Sequence, residues 1–163
     1  MSITKNINKI LKKNKINFYT GVPDSVLKNY LSSLNSAKKN HIICTNEGNA
    51  ISLATGYYLA KKKMALVYLQ NSGLGNIINP ITSMVHKKVY GIPMLLFIGW
   101  RGAPNYHDEI QHKIQGKITL NQLKILDIKY KIFNHLNYHK DLNELIKYSK
   151  KNSQPVAYLF KMN

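Results

Sequence analysis

Residues 64–76 read Met64-Ala65-Leu66-Val67-Tyr68-Leu69-Gln70-Asn71-Ser72-Gly73-Leu74-Gly75-Asn76, and this stretch decides the fold. The run from Met64 to Gln70 has the length of a strand and almost no polar alternation, as a strand does when both its faces are covered. It passes at once into amides, a serine and two glycines, and then into helical spacing over about residues 76–86. Strand, small-residue turn and helix form the repeating unit of parallel sheets.

The same alternation extends in both directions. Short apolar runs rich in Ile, Val, Leu, Tyr and Phe mark strands at 16–20, 41–45, 93–99, 129–133 and 156–160. Helical spacing marks 3–13, 24–34, 47–61, 120–127 and 142–150. Pro93 and Pro155 stand at strand starts, where a missing N–H is tolerated. No internal repeat, linker or low-complexity tract interrupts the pattern. The expected fold is α/β: a three-layer, doubly wound sheet of about six mostly parallel strands with helices on both faces. The 163 residues suit one domain spanning residues 1–163, and a domain of that size buries roughly two-thirds of its unfolded surface.

Composition narrows the class. A hydrophobic content of 44% excludes a wholly disordered chain. Cys44 is the one cysteine, which excludes an intrachain disulfide and a multi-cysteine metal site; it reads as a small buried thiol. Residues 1–18 are basic without an apolar core, unlike a signal peptide, and the longest apolar run, 93–98, is too short to cross a bilayer. A soluble, cytoplasmic protein is expected. The 24 basic residues against 7 acidic give a net charge of +17, which raises nucleic-acid binding as an alternative. Against it, Arg101 is the only arginine and the lysines are scattered, whereas readers of phosphates and bases use arginine forks. The positive field draws in anionic small molecules instead.

In a parallel sheet, ligands sit where strand C-termini meet the following loops. The first such loop, Gly21-Val22-Pro23-Asp24-Ser25, offers Asp24 as helix cap or ligand-facing acid. The second, Thr45-Asn46-Glu47-Gly48, puts one of few acids in a first helical turn, where the helix dipole or catalysis accounts for it. The third holds Asn71, Ser72, Gly73, Leu74 and Gly75, a nest for an anion or a planar ligand; with Ile78 where a third glycine would stand, it is not the dinucleotide fingerprint. The fourth, 99–112, is the densest polar cluster. Arg101 there binds an anion or pins the loop to Asp108 or Glu109. His107 and His112, five apart, do not face one metal from a regular helix and suit acid–base or substrate roles.

Taken together, GVPDS, NEGNAISLATGYYLA, LQNSGLGNIINP and IPMLLFIGWRGAPNYHDEIQHKIQGKIT resemble the phosphonopyruvate decarboxylase family, over about residues 16–130. The likeness is to its N-terminal, pyrimidine-binding domain, shared by thiamine-diphosphate-dependent 2-oxo-acid decarboxylases; the QNSGLGN stretch is also similar to sulfopyruvate decarboxylase. The resemblance implies that Glu47 hydrogen-bonds N1′ of the cofactor's aminopyrimidine and promotes loss of the thiazolium C2 proton. It implies catalytic roles for Glu47, Asp24 and His107, cofactor contacts from Glu47 and residues 71–75, and substrate contacts from Asp24, Arg101, His107 and His112. The Gly-Asp-Gly motif and downstream asparagine that hold the cofactor's diphosphate through Mg²⁺ are absent. The expectation is therefore a natural subunit that decarboxylates 3-phosphonopyruvate to phosphonoacetaldehyde once a partner chain supplies that half and its Mg²⁺. Sulfopyruvate or another 2-oxo acid is the close alternative, and a non-catalytic regulatory or basic binding domain the distant one.

Overall fold

The computed structural model describes residues 3–34 and 40–162. In chain order the elements are α1 (Ile3–Lys13), β1 (Tyr19–Gly21), α2 (Lys28–Ser32), β2 (His41–Ile43), α3 (Glu47–Lys61), β3 (Ala65–Gln70), α4 (Leu74–Pro80), β4 (Met94–Trp100), α5 (Ile110–Ile125), β5 (Lys129–Ile132), α6 (Tyr138–Asn152) and β6 (Pro155–Lys161). The strands form one six-stranded sheet in the order β2-β1-β3-β4-β6-β5, and every pairing is parallel. The expected architecture is the one observed.

Two apolar layers sandwich the sheet. Ala50, Ile51 and Ala54 of α3, Leu74 and Ile77 of α4 and Leu123 of α5 pack on one face with Val67, Leu96 and Leu159. Ile7, Ile10 and Leu11 of α1, Tyr30 of α2 and Leu142, Leu145 and Ile146 of α6 pack on the other with Leu66, Phe97 and Tyr158. All residues of β4 are buried, which is why that run carries no polar alternation. Cys44 is half-buried rather than buried, with its Sγ 3.2 Å from Thr20 Oγ1. Among the described residues, no helix is long and apolar enough to cross a membrane.

Helix α6, expected over 142–150, begins at Tyr138, and three further helix boundaries differ from expectation, each for a local reason. The helix expected over 24–34 is regular only from Lys28 to Ser32, and part of the expected span lies in an Asp24-centred turn. The helix expected over 76–86 starts earlier, at Leu74, and widens into a π-turn at Ile81–Val85 directly after Pro80, a residue that lacks the N–H an α-helical ladder needs. The helix expected over 120–127 begins at Ile110, so residues 110–112 belong to it and not to the polar loop expected over 99–112.

Registers align the strand C-termini at one edge: Gly21 sits opposite both Ile43 and Tyr68, and Gln70 opposite Gly99. From β1 the chain steps to β2 on one side, and from β3 to β4 on the other. The loops after β1 and β3 therefore part, opening the crevice that parallel sheets use for ligands.

Candidate active site

Glu47 is the first residue of α3, yet it does not cap that helix. Asn46 does, with extended backbone and a side chain that accepts from the Gly48 N–H at 2.7 Å. The Glu47 carboxylate turns instead towards α4, where Oε2 accepts from Asn76 Nδ2 at 2.7 Å. It is only 9% exposed, and among the described residues Oε1 has no hydrogen-bond partner. A Cβ on Gly73 would fall 2.5 Å from its Cγ, Cδ and Oε1, so only glycine lets the carboxylate lie there. One oxygen held, one free, in a cradle of small residues: this fits the ring N–H of an aminopyrimidine, the group a thiamine cofactor would present.

Asp24 is 6% exposed and both of its carboxylate oxygens are engaged within the chain. Its Oδ2 accepts from the N–H groups of Val26 (2.9 Å) and Leu27 (3.2 Å), ordering the turn into α2. Its Oδ1 accepts from Gln70 Nε2 at 2.8 Å, across the crevice from the end of β3. Gln70 in turn accepts from Ser72 Oγ at 2.7 Å. A Cβ on Gly99 would sit 1.9 Å from Asp24 Oδ2, so the carboxylate lies directly against the β4 backbone.

The third loop divides its work. Asn71 is fully buried; its amide donates to the Arg101 carbonyl (2.9 Å) and Thr119 Oγ1 (2.8 Å), and its Oδ1 accepts from the Arg101 N–H at 3.0 Å. Leu74 lies wholly in the core. Both side chains face inward, tying the turn to β4 and α5. Gly73 backs Glu47, while Ser72 and Gly75 are exposed.

The fourth loop is clamped by one ion pair. Asp108 accepts from Arg101 Nε (3.1 and 2.8 Å) and Nη2 (2.6 Å), and from the N–H groups of Gly102 (2.7 Å) and Glu109 (2.8 Å). The remaining nitrogen, Nη1, reaches Ser25 Oγ at 3.2 Å. Of the two roles open to Arg101, pinning the loop is the one its geometry shows. Gly102, at φ +65°, has no room for a side chain against the carbonyl of His112, and Gly116 none against Gly102, so α5 crosses this turn backbone to backbone. His107 is exposed in the loop and His112 half-buried in the first turn of α5; among the described residues neither ring has a hydrogen-bond partner. Among the described residues, no group of three or more His, Cys, Asp and Glu side chains is placed to hold a metal ion.

The guanidinium, together with two backbone N–H groups, holds the Asp108 carboxyl well below the usual carboxylate range. A carboxylate with a lowered folded pKa adds stability above its unfolded pKa and loses it as pH falls through the folded value. Asp108→Asn is therefore expected to cost about 2 kcal/mol at neutral pH, the scale of a charged hydrogen bond left unmade. The gap from the wild type should be flat above about pH 5 and shrink below about pH 4, where the unfolded chain takes up the proton. Urea midpoints across pH 2.5–7 measure this; a gap independent of pH would mean the ion pair is not its source.

Sequence reasoning passed over Asn76, Gln70 and Gly99, which set the two carboxylates. Two of them flank or lie in the third loop, but their partners are 29 and 46 residues away in the chain.

Comparison with known proteins identifies the family. The model of the thiamine pyrophosphate enzyme N-terminal TPP binding domain matches residues 1–125. Sulfopyruvate decarboxylase subunit alpha of Methanococcus maripaludis is 38% identical over 136 residues, 80% of this chain and 76% of its own. The subunit alpha of Methanocaldococcus jannaschii is 36% identical, over 92% of this chain and 88% of its own. Phosphonopyruvate decarboxylase of Streptomyces viridochromogenes is 34% identical over 69% of this chain, but the match spans 28% of that protein's length. The solved benzoylformate decarboxylase from Polynucleobacter necessarius superposes over 99% of this chain and 30% of its own, with TM-score 0.72 at 16% identity, a likeness of fold. The chain belongs to the thiamine pyrophosphate enzyme N-terminal TPP binding domain family.

Proposed function

We propose that this chain is the pyrimidine-binding subunit of a cytoplasmic thiamine-diphosphate-dependent carboxy-lyase, acting on a 2-oxo acid whose far end carries a phosphonate or sulfonate. The observation that carries the reading is the Glu47 carboxylate, held by Asn76 at 2.7 Å through one oxygen and open through the other. When bound, thiamine diphosphate supplies the nucleophilic carbon and the electron sink for loss of carbon dioxide. Glu47 exchanges a proton with the pyrimidine ring nitrogen through Oε1, and Asn76 fixes the direction in which that oxygen points. Asp24 presents its carboxylate at the crevice, kept in place by Gln70 and the start of the α2 turn. His107, solvent-facing on the clamped loop, becomes a substrate-end group when a second chain covers it.

The diphosphate and its Mg²⁺ belong, on this reading, to a complementary subunit in a hetero-oligomer. Sulfopyruvate is the first substrate to try, because relatives named for it align over most of both chains. Phosphonopyruvate is the second, supported by the match to its decarboxylase and by the HDEIQH segment. The chain alone is expected to be inactive. Mixed with a chain carrying Gly-Asp-Gly and the downstream asparagine, it should release carbon dioxide from one of the two substrates only when thiamine diphosphate and Mg²⁺ are added. Equal release by the complementary chain alone would overturn the assignment.

A further inference from the structure

The anion-binding residue expected from the sequence is otherwise engaged. Arg101 gives Nε and Nη2 to Asp108 and Nη1 to Ser25, leaving no free fork for a substrate. Beside Asp24, on the β1–β2 side of the crevice, lies a cavity of about 400 Å³ whose lining includes Asp24, Ser25, Lys28, Ser32, His41 and Tyr68. Its size suits a small-molecule site.

Its chemistry is that of an oxyanion seat. Among the described residues, Lys28 is the one ammonium in the lining and makes no ion pair with a carboxylate. Ser25 brings a hydroxyl to the lining, whereas the Ser32 O–H donates to the Lys28 carbonyl at 2.9 Å. Ser25 already receives Arg101 Nη1, so a second positive charge stands behind that wall. His41 Nε2 and the Tyr68 hydroxyl lie 2.8 Å apart. Burial, with Cys44 nearby, pushes the Tyr68 phenol up to about 12, so this pair adds no negative charge. The one acid in the lining, Asp24, has both oxygens accepting hydrogen bonds. A molecule with its reacting end at Asp24 and its far end at Lys28 would span the cavity.

We propose that this cavity seats the distal phosphonate or sulfonate of the substrate, with Lys28 as the specificity-determining cation. The proposal rests on the reading of this chain as a 2-oxo-acid decarboxylase subunit, and it adds which end of the site reads the anion. An oxyanion here gains charge-assisted hydrogen bonds from Lys28 and a neutral one from Ser25.

Two measurements test it separately from the decarboxylase reading. In the isolated full chain, methylphosphonate and methanesulfonate should each give saturable NMR shifts at Lys28, Ser32 and His41. Lys28→Met should abolish them and Lys28→Arg restore them in part. Shifts that survive Lys28→Met, or that centre on His107 and His112, overturn the proposal. With the complementary chain present, Lys28→Met should raise KM for the anionic substrate roughly tenfold to a hundredfold, with kcat little changed. A 2-oxo acid with an uncharged tail should be unaffected. An unchanged KM for the anionic substrate, or an equal loss on both, overturns it. If the wild-type pair turns over no 2-oxo acid, the decarboxylase reading falls, and the methylphosphonate titration still decides whether this cavity binds an oxyanion.

Discussion

Glu47→Gln, assayed with the complementary chain, thiamine diphosphate and Mg²⁺, is expected to lower kcat by roughly 10²–10⁴-fold, the range spanned by positioned general acid–base groups. The amide is the same size, so the cradle left by Gly73 still admits it. Its carbonyl oxygen still accepts from Asn76, preserving the contact with α4. What disappears is the capacity to exchange a proton at the free oxygen. The fold should tolerate the change, with Tm within a few degrees of the wild type, since the isosteric amide leaves no cavity and keeps the Asn76 contact. Carbon dioxide release and a thermal melt by circular dichroism, run on one preparation, check both halves. Retained turnover would remove Glu47 from the chemistry and return it to a structural role. Asn76→Ala should give a smaller loss, because it frees the carboxylate without removing it.

The second large effect is steric. Gly99→Ala places a methyl carbon where the Asp24 carboxylate lies, 1.9 Å from Oδ2 and 3.1 Å from Val26 Cβ. Gly99 sits in a buried central strand hydrogen-bonded on both sides, so the backbone cannot give way. Asp24 must leave, losing its bonds to Gln70, Val26 and Leu27 and loosening the turn into α2. Overpacking of this kind costs about 1–3 kcal/mol, and the lost hydrogen bonds take the total towards the upper end. For a chain of this size the expected fall in Tm is roughly 5–10 °C, with activity lost as well. Asp24→Ala in the same chain removes the atoms that collide, so the double variant should regain a good part of the stability and none of the activity. A double variant no more stable than Gly99→Ala would place the strain elsewhere.

The sheet was legible because its strands are buried on both faces: runs such as 64–70 and 93–99 have few other readings. Glu47, Asp24 and the third loop were legible as places, since strand ends and helix starts can be read from local pattern. Helix α5 was not. Its first half turns Ile110, Ile114 and Ile118 outward, while Gln115 and Thr119 point in to hold Asn71, so the usual correspondence of apolar with buried is inverted there. The role of Arg101 was legible only as a pair of alternatives, because which carboxylate meets it depends on how a seven-residue loop folds back. The amides that hold the two acids were invisible for the same reason. Their partners meet only once the crevice is formed.

The place of β6 in the sheet governs how the protein can come to be made. Although β6 follows every other strand in sequence, it lies between β4 and β5 and, among the described residues, is the only neighbour β5 has. During synthesis β5 therefore has nowhere to dock until residues 155–161 have left the ribosome. Until then the edge of β4 and the apolar face of β5 stand open, the condition under which nascent chains associate wrongly. Parallel pairings between distant segments also form slowly. Low expression temperature, or a chaperone present during translation, should raise the yield of folded subunit more than adding the complementary chain afterwards.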